Sequence, residues 1–262
     1  MTRPYVIWPL RFSPKPAAMI DFYRRLGLHQ DLSHDSGTYA TFRGRAGALG
    51  VHDAGTTTSG AVPGHTALNL VTSDVFAAAR ELASAGHAVR VWDETYGKQG
   101  AVIARDGRVI GLNDDTQDDL YGGYHVHGAE AAPTLDVVAV CVAEDMAAEA
   151  AYFAPFGFVA PSYDNPWWIG LRAGPGSGVL GIHSGSVEHS GSVEAQNPRA
   201  DDDLLGPPYE VRIGFETHQP LEQEAERLRA AGFEVELITD EAAPRIVLTD
   251  PDGEEVQIHP AP

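Results

Sequence analysis

The chain has 262 residues, 43% of them hydrophobic, with 18 Lys and Arg against 37 Asp and Glu, a formal net charge of −19 and a single cysteine. So acidic a field repels nucleic-acid phosphates and anionic lipid, and a lone Cys141 excludes an internal disulfide. No apolar run reaches the length of about eighteen residues that a membrane span needs, and the N-terminus has no charged segment followed by an apolar stretch, so a soluble cytoplasmic protein of ordinary domain size is expected.

In chain order, Tyr5–Phe12 is a strand-like run ended by Pro14 and Pro16, and Pro16 suits the opening of a helix. Apolar Ala18, Met19, Phe22, Tyr23 and Leu26 then fall at helical spacing, and Gly27 stops the element. Short strands are predicted around Gln30–Ser33, Thr38–Arg43 and Ala48–Asp53. After a polar connector, Thr56–Gly64, the order strand, helix and three strands repeats: His65–Thr72, Asp74–Ala85 capped by Ser73 or Asp74, Val89–Asp93, Ala101–Ala104 and Val109–Leu112. Asp114–Pro133 is polar and Gly-rich and reads as a linker. Beyond it come Leu135–Val142, helix Asp145–Phe156, strands near Val159–Tyr163, Trp168–Arg172 and Val179–His183, then Tyr209–Thr217, helix Pro220–Ala231, Val235–Ile238 and a closing hairpin turned by Asp252-Gly253.

The chain says one thing twice. Phe22-Tyr-Arg-Arg-Leu-Gly-Leu28 answers to Tyr152-Phe-Ala-Pro-Phe-Gly-Phe158, Leu49-Gly-Val-His52 to Leu180-Gly-Ile-His183, and Ala85-Gly86 to Ala231-Gly232. The hairpin Ile103–Leu112 answers to Pro244–His259, with Gly107 and Gly253 in matching places. The second copy carries an insertion between about residues 184 and 208, Gly- and Ser-rich and extended by Asp201-Asp-Asp203, which reads as a mobile loop. Domains are expected over 1–116 and 134–262, joined by 117–133. Residues 1–130 hold 12 Lys and Arg against 14 Asp and Glu, whereas 131–262 hold 6 against 23, so the second copy carries nearly all the net charge.

Four βαβββ units, Phe-Tyr-x-x-Leu-Gly after the first helix, and strand-Asp-Pro-Asp-Gly-strand at the end resemble the vicinal oxygen chelate (VOC) superfamily, which includes glyoxalase I, bleomycin- and fosfomycin-resistance proteins and extradiol dioxygenases. The resemblance covers almost the whole chain. It implies an α+β fold of two tandem VOC domains, in which paired units curl into open, cup-shaped mixed sheets that hold a ligand on their concave faces. It leaves open whether units pair within a copy or across copies, and it says little about function, because one scaffold serves many activities.

Members that use metal place ligands near the start of the first and fifth strands and, as Glu, four residues beyond the hairpin Gly. Carried onto this chain residue by residue, those positions fall at Trp8 and Val138 (with Asp136 two residues earlier), at His65 or Ala67 and at Arg212, and at Gly111 and Gln257. His65, Asp136 and Gln257 are therefore the metal-ligand candidates, and no pairing of units gives three good donors, so no metal or other cofactor is expected. His52, His65, His183 and Arg212 are the candidate acid/base groups, although the duplicated His52 and His183 also fit strand-end residues bonded to backbone. His125-Val-His127 has alternate spacing in the linker. Cys141, mid-strand, fits a small buried residue. Trp8, Tyr39, Phe42, Trp167 and Trp168, with His52, His65, His183, Arg212 and Gln257, are the candidate ligand walls.

The expected function is metal-independent binding of a small organic, antibiotic-like or aromatic molecule, with no nucleic-acid or membrane partner and one chain sufficient to build both cups. The alternatives are a glyoxalase-like lyase or isomerase, or a dioxygenase, acting in the same cup, and a regulatory or scaffold module. Unequal cups are expected, with the second, acidic copy offering the principal site to a neutral or cationic ligand through Trp167, Trp168, His183 and Arg212.

Overall fold

The computed structural model describes residues 5–57, 62–94, 97–104, 106–115, 122–128, 132–159, 164–185, 206–240 and 243–262. Most of the predicted inserted loop and of the strand predicted at Val159–Tyr163 lies outside these residues. The first unit contains β1 (Val6–Ile7), β2 (Leu10–Ser13), α1 (Pro16–Leu26), β3 (His29–His34), β4 (Tyr39–Arg43) and β5 (Ala48–Asp53). The second contains β6 (Thr66–Ala67), β7 (Asn69–Thr72), α2 (Val75–Ser84), β8 (Ala88–Glu94), β9 (Gly97–Ile103) and β10 (Val109–Asp114), and is followed by β11 (Tyr124–Val126). The third has β12 (Leu135–Ala143), α3 (Met146–Phe153), a 3-10 turn at Ala154–Phe156, β13 (Asp164–Asn165), β14 (Trp168–Leu171) and β15 (Val179–Ser184). The fourth has β16 (Arg212–Thr217), α4 (Leu221–Ala230), β17 (Glu236–Ile238), β18 (Arg245–Thr249) and β19 (Glu255–Pro260).

Local chemistry sets these bounds. Pro16 sits in the first turn of α1, Gly27 closes it in the left-handed region, and Asp74 and Asp145 cap α2 and α3 by accepting from Ala77 and Ala148 backbone N–H groups at 2.8 and 2.9 Å. The predicted first strand is broken at Trp8–Pro9, where Pro9 has no N–H to give a ladder. The linker holds more structure than its composition indicates: β11 adds to the edge of β3 with Tyr124 opposite His34, and the Tyr124 ring packs edge-on 5.8 Å from Tyr39.

Units pair within a copy. Val6, Ile7, Leu10 and Arg11 oppose Val71, Leu70, Ala67 and Thr66 antiparallel in one register, so β1–β2 and β6–β7 join the two sheets of the first copy. In the second, Leu135–Val140 oppose Thr217–Arg212, giving an eight-stranded sheet in the order β13-β14-β15-β12-β16-β19-β18-β17.

Helices cover one face of each sheet, and there the copies exchange partners. Phe22 on α1 meets Phe233 beyond α4 at 5.3 Å, and its counterpart Tyr152 on α3 meets His87 beyond α2 at 5.4 Å. The same reciprocity runs through the backbone, since Ile7 N–H donates to Ser177 O at 2.9 Å and Val137 N–H to Ala46 O at 2.8 Å. Gly47 and Gly178, both at positive φ, meet between these bonds: a Cβ on Gly178 would lie 2.8 Å from Gly47 Cα. A third cross-copy contact is ionic. Arg11, 6% exposed on the helix side of β2, reaches Asp250 and Asp252 of the closing hairpin at 3.3 and 3.0 Å, and Ser13 donates to Asp252 at 2.9 Å.

Removing one partner of such a buried group strands the opposite charge, which costs about 3–5 kcal/mol. Arg11→Ala should lower the unfolding free energy by that amount, read from urea titration as a single transition that reports both copies. A loss confined to one of two separate transitions would show that the hairpin contact does not couple them.

Candidate functional site

Alternation along each strand sorts side chains between the helix-side core and the open face. In β12, Leu135, Val137, Ala139 and Cys141 join the core, which turns Asp136, Val138, Val140 and Val142 to the open face. By the same alternation β16 presents Arg212, Gly214 and Glu216, and β19 presents Gln257 and His259. In the first copy Trp8, Leu10, Phe12, Tyr39, Gly50, His52 and Asn69 face the open side.

The positions at which metal-using relatives place ligands can now be located. In the second cup Val138 opposes Gly214, and a Cβ on Gly214 would lie 3.5 Å from Gln257 O. In the first, Trp8 N–H donates to Asn69 O at 2.7 Å, and Asn69 opposes Gly111 so closely that a Cβ there would lie 1.7 Å from Asn69 Oδ1. The fifth-strand positions are therefore Asn69 and Gly214, a correction to the expected His65 or Ala67 and Arg212. Both lie two residues beyond the expected Ala67 and Arg212, because pairing with Trp8 and Val138, and not spacing along the chain, sets which residue of the fifth strand joins the rank. The two ranks, Trp8/Asn69/Gly111 and Val138/Gly214/Gln257, offer one neutral amide each, and a divalent cation does not fit them. Among the described residues no group of three His, Cys, Asp or Glu is placed to hold a metal.

The remaining candidates separate clearly. Phe42 is not a ligand wall: it is fully buried on the helix side, 5.7 Å from Tyr23, because its neighbours Tyr39 and Thr41 take the open-face positions. Trp8 is 6% exposed and lies against Gly50, where a Cβ would come within 2.9 Å of its ring. Trp168 covers Gly181 in the same way, so closely that a Cβ there would lie 2.0 Å from its ring, and opposes His183 across the strands. Trp167, 63% exposed, stands in the turn before β14 at the rim. His65 precedes β6 and lies 3.9 Å from Glu210, at the junction between copies rather than in a cup. His52 and His183 make the same bond, Nδ1–H to the carbonyls of Asp53 and Ser184 at 2.8 and 2.7 Å, which leaves each Nε2 as the acceptor. His52 sits between Phe12 and Tyr39, 5.9 Å from each. Arg212 is exposed on the open face. Gln257 donates to Glu255 at 2.6 Å and accepts from His259 at 2.9 Å, and burial, helped by Arg245, pushes the His259 pKa down.

His125 and His127 are bonded separately, to Asp35 at 2.5 Å and Ser33 at 2.8 Å. Cys141 donates to Gly181 O at 3.4 Å, and burial pushes its thiol up to about 12, so it is no nucleophile. An open cleft of about 720 Å³ lies outside both cups, between Glu144–Ala147 and Asn165, Pro166 and Ile169.

The polar centre of the second cup was not foreseen. Asp136, fully buried, receives Arg45 at 2.8 Å, Arg172 at 3.3 Å and His218 at 3.3 Å, all on Oδ2, while Oδ1 has no partner. Arg172 also donates to Glu216 at 2.6 Å, and His218 contacts Arg45. Arg172 follows Trp168 and Gly170 at strand spacing, a signal that could have placed it in the cup. Arg45 arrives from a turn of the other copy, which no local pattern reveals.

Burial, opposed by Arg172, raises the Glu216 pKa above the usual carboxylate range. The folded state then holds that proton more tightly than the unfolded chain, so the contribution of Glu216 is favourable at acid pH and is lost as pH rises through its raised pKa. Glu216→Gln removes this dependence. Its stability relative to the parent should improve in urea titrations as pH rises from the usual carboxylate range through the raised Glu216 pKa, whereas a constant difference would contradict the assignment.

Residues 7–126 match the model of the Glyoxalase/Bleomycin resistance protein/Dioxygenase superfamily. No curated protein sequence matches the chain. Among solved structures it is similar to homoprotocatechuate 2,3-dioxygenase from Arthrobacter globiformis, at 14% identity and TM-score 0.56 over 100% of this chain and 80% of that one. It is also similar to the Mn(II)-bound glyoxalase from Novosphingobium aromaticivorans, at 13% identity and TM-score 0.56 over 99% and 83%. An extradiol ring-cleaving dioxygenase from B. fuscum matches at 14% identity and TM-score 0.55 over 98% and 71%. At such identities the likeness is one of fold, shared by both copies.

Proposed function

Since residues 7–126 match the model of the Glyoxalase/Bleomycin resistance protein/Dioxygenase superfamily, with the same fold repeated in the second copy, we propose that the chain binds a small, flat organic molecule in the second cup without a metal ion. The observation that carries this is the chemistry of the two ligand ranks, Trp8/Asn69/Gly111 and Val138/Gly214/Gln257, neither of which has the donors a divalent ion needs. Trp168 over Gly181 supplies a flat apolar wall, Val138 and Val140 the floor, and His183 and Arg212 polar groups near the rim. The first cup is more filled by its own side chains, with Trp8 and Phe12 buried and Asn69 lying where a residue larger than Gly111 would stand. One chain supplies both cups, so a monomer suffices for binding. The acidic second copy favours a neutral or cationic ligand over an anionic one.

A second reading, an enzyme acting in the same cup, is favoured by a separate observation: the matched solved structures are dioxygenases and a Mn(II)-bound glyoxalase, and the matches span 98–100% of this chain. On that reading His183 Nε2, an acceptor, is the base and Arg212 the electrophile.

Chelator-treated protein should bind a basic aromatic antibiotic at one site in calorimetric titration, more tightly than an acidic aromatic metabolite. Trp168→Ala should weaken it by at least about fivefold, since aromatic stacking is worth about 1 kcal/mol beyond area burial. A stoichiometric divalent ion in the purified protein, whose removal abolishes binding, would sink the metal-independent reading in favour of the enzyme.

A further inference from the structure

The row of the second cup that holds Asp136 continues one strand beyond its carboxylates. Asp136 opposes Glu216 across β12 and β16, and Glu216 opposes His259 across β16 and β19. The two carboxylates are engaged by the guanidinium groups of Arg45 and Arg172. The imidazole bonds instead along its own strand, where Val256 and Ile258 join the core and turn Glu255, Gln257 and His259 to the open face.

Those three side chains form a run of hydrogen bonds with a fixed sense. An ionised carboxylate can only accept, so Glu255 receives the amide Nε2 of Gln257 at 2.6 Å. That turns the amide oxygen to His259, and because this oxygen also only accepts, the imidazole Nε2 2.9 Å away carries the hydrogen. In a neutral ring the other nitrogen, Nδ1, then holds a lone pair. Burial, joined by Arg245 one step beyond the Ile246–Ile258 pair of β18 and β19, disfavours a charge on the ring, which stays neutral. His52 and His183 have the opposite tautomer, set by backbone carbonyls. The form of His259 is therefore imposed by its own neighbours and is not common to the histidines of the open faces.

We propose that His259 Nδ1 is the acceptor that reads an N–H group on the ligand of the second cup, with Gln257 and Glu255 as positioning residues that hold its tautomer. The ligand class that follows is a flat, neutral or cationic heteroaromatic carrying an N–H at one end. The guanidinium groups of Arg45, Arg172 and Arg212 are donors and have nothing to offer such a group. Beside His259 the neighbouring row gives space, since Gly214 has no side chain next to Val138. At the other end of the strands Arg212 shares the row of Val140 and Gly181, over which the Trp168 ring lies, so the ligand's plane meets an aromatic wall and its far end a cation.

Because this role presupposes the second cup as the ligand site, the experiment separates the two. In protein labelled with 15N at histidine, the ring-nitrogen shifts of the unliganded parent should show His259 protonated at Nε2 and bare at Nδ1; a ring protonated at Nδ1 overturns the inference whatever binds. Indole and benzofuran, alike in shape but differing in the N–H, are then titrated calorimetrically. The parent should bind indole at least about fivefold more tightly than benzofuran, the size of one net hydrogen bond, and indole should move the Nδ1 resonance. His259→Phe, which keeps a ring in place, should bind the two about equally with benzofuran affinity kept within about twofold, and Gln257→Leu should lie between it and the parent. Equal affinities in the parent, or a preference for indole that survives in His259→Phe, overturn the inference and leave ligand binding in the cup standing. A parent that binds neither fragment removes the reading of the cup, and this role of His259 with it.

Discussion

Everything in this fold depends on how closely two backbones meet at its centre. Gly47 and Gly178 approach until a single added carbon on either would clash, and on both sides of them Ile7 and Val137 donate to carbonyls of the opposite copy. That contact fixes how the copies face each other, and with it the exchange of helix partners through Phe22–Phe233 and Tyr152–His87. It also delivers Arg45, two residues before Gly47, to Asp136 in the other copy's cup. The polar centre of the second cup is therefore a product of the interface between copies and not of the second copy alone.

Within each copy a second constraint operates: a sheet has one face for helices and one for a ligand, and alternation assigns each residue to one of them. Phe42 and Cys141 fall on the helix face and serve the core, while Trp168, Asp136 and Arg172 fall on the open face. The ligand ranks of the two cups also differ in volume. Asn69 fills the space over Gly111 in the first cup, and Gly214 leaves space beside Val138 in the second, so the same scaffold has closed one cup and kept room in the other.

Much of the fold was legible in the sequence because its signals are local and repeated. The left-handed glycines that close α1 and turn the hairpins, the caps at Asp74 and Asp145, and the alternation of strands each act within a few residues, and the duplication states them twice. The site was less legible. His52 and His183 could be matched by position, and their shared bond to the next carbonyl is short-range. The fifth-strand register could not be read, since which residue joins the rank, Asn69 or Gly214, is set by pairing with strands distant in the chain. Nor could β11 be read, because Tyr124–Val126 is ordered by the free edge of β3 and the ring of Tyr39 rather than by its own composition. Arg45, Arg172, Glu216 and His218 are unremarkable residues until three separate segments bring them to one carboxylate.

The ionic contact of Arg11 with the closing hairpin spans nearly the whole chain: 239 positions separate it from Asp250. On the ribosome, where chains grow at about 5–20 residues per second, roughly ten to fifty seconds pass between the emergence of Arg11 and that of its carboxylate partners. Throughout that time the first copy carries an uncompensated guanidinium on the face of β2 that is to be buried, and the Phe22 side of α1 has no Phe233 to meet. The burial of Arg11 and of the Phe22 side of α1 is thus completed only by residues of the second copy, in a chain whose sequence looks like two domains in a row.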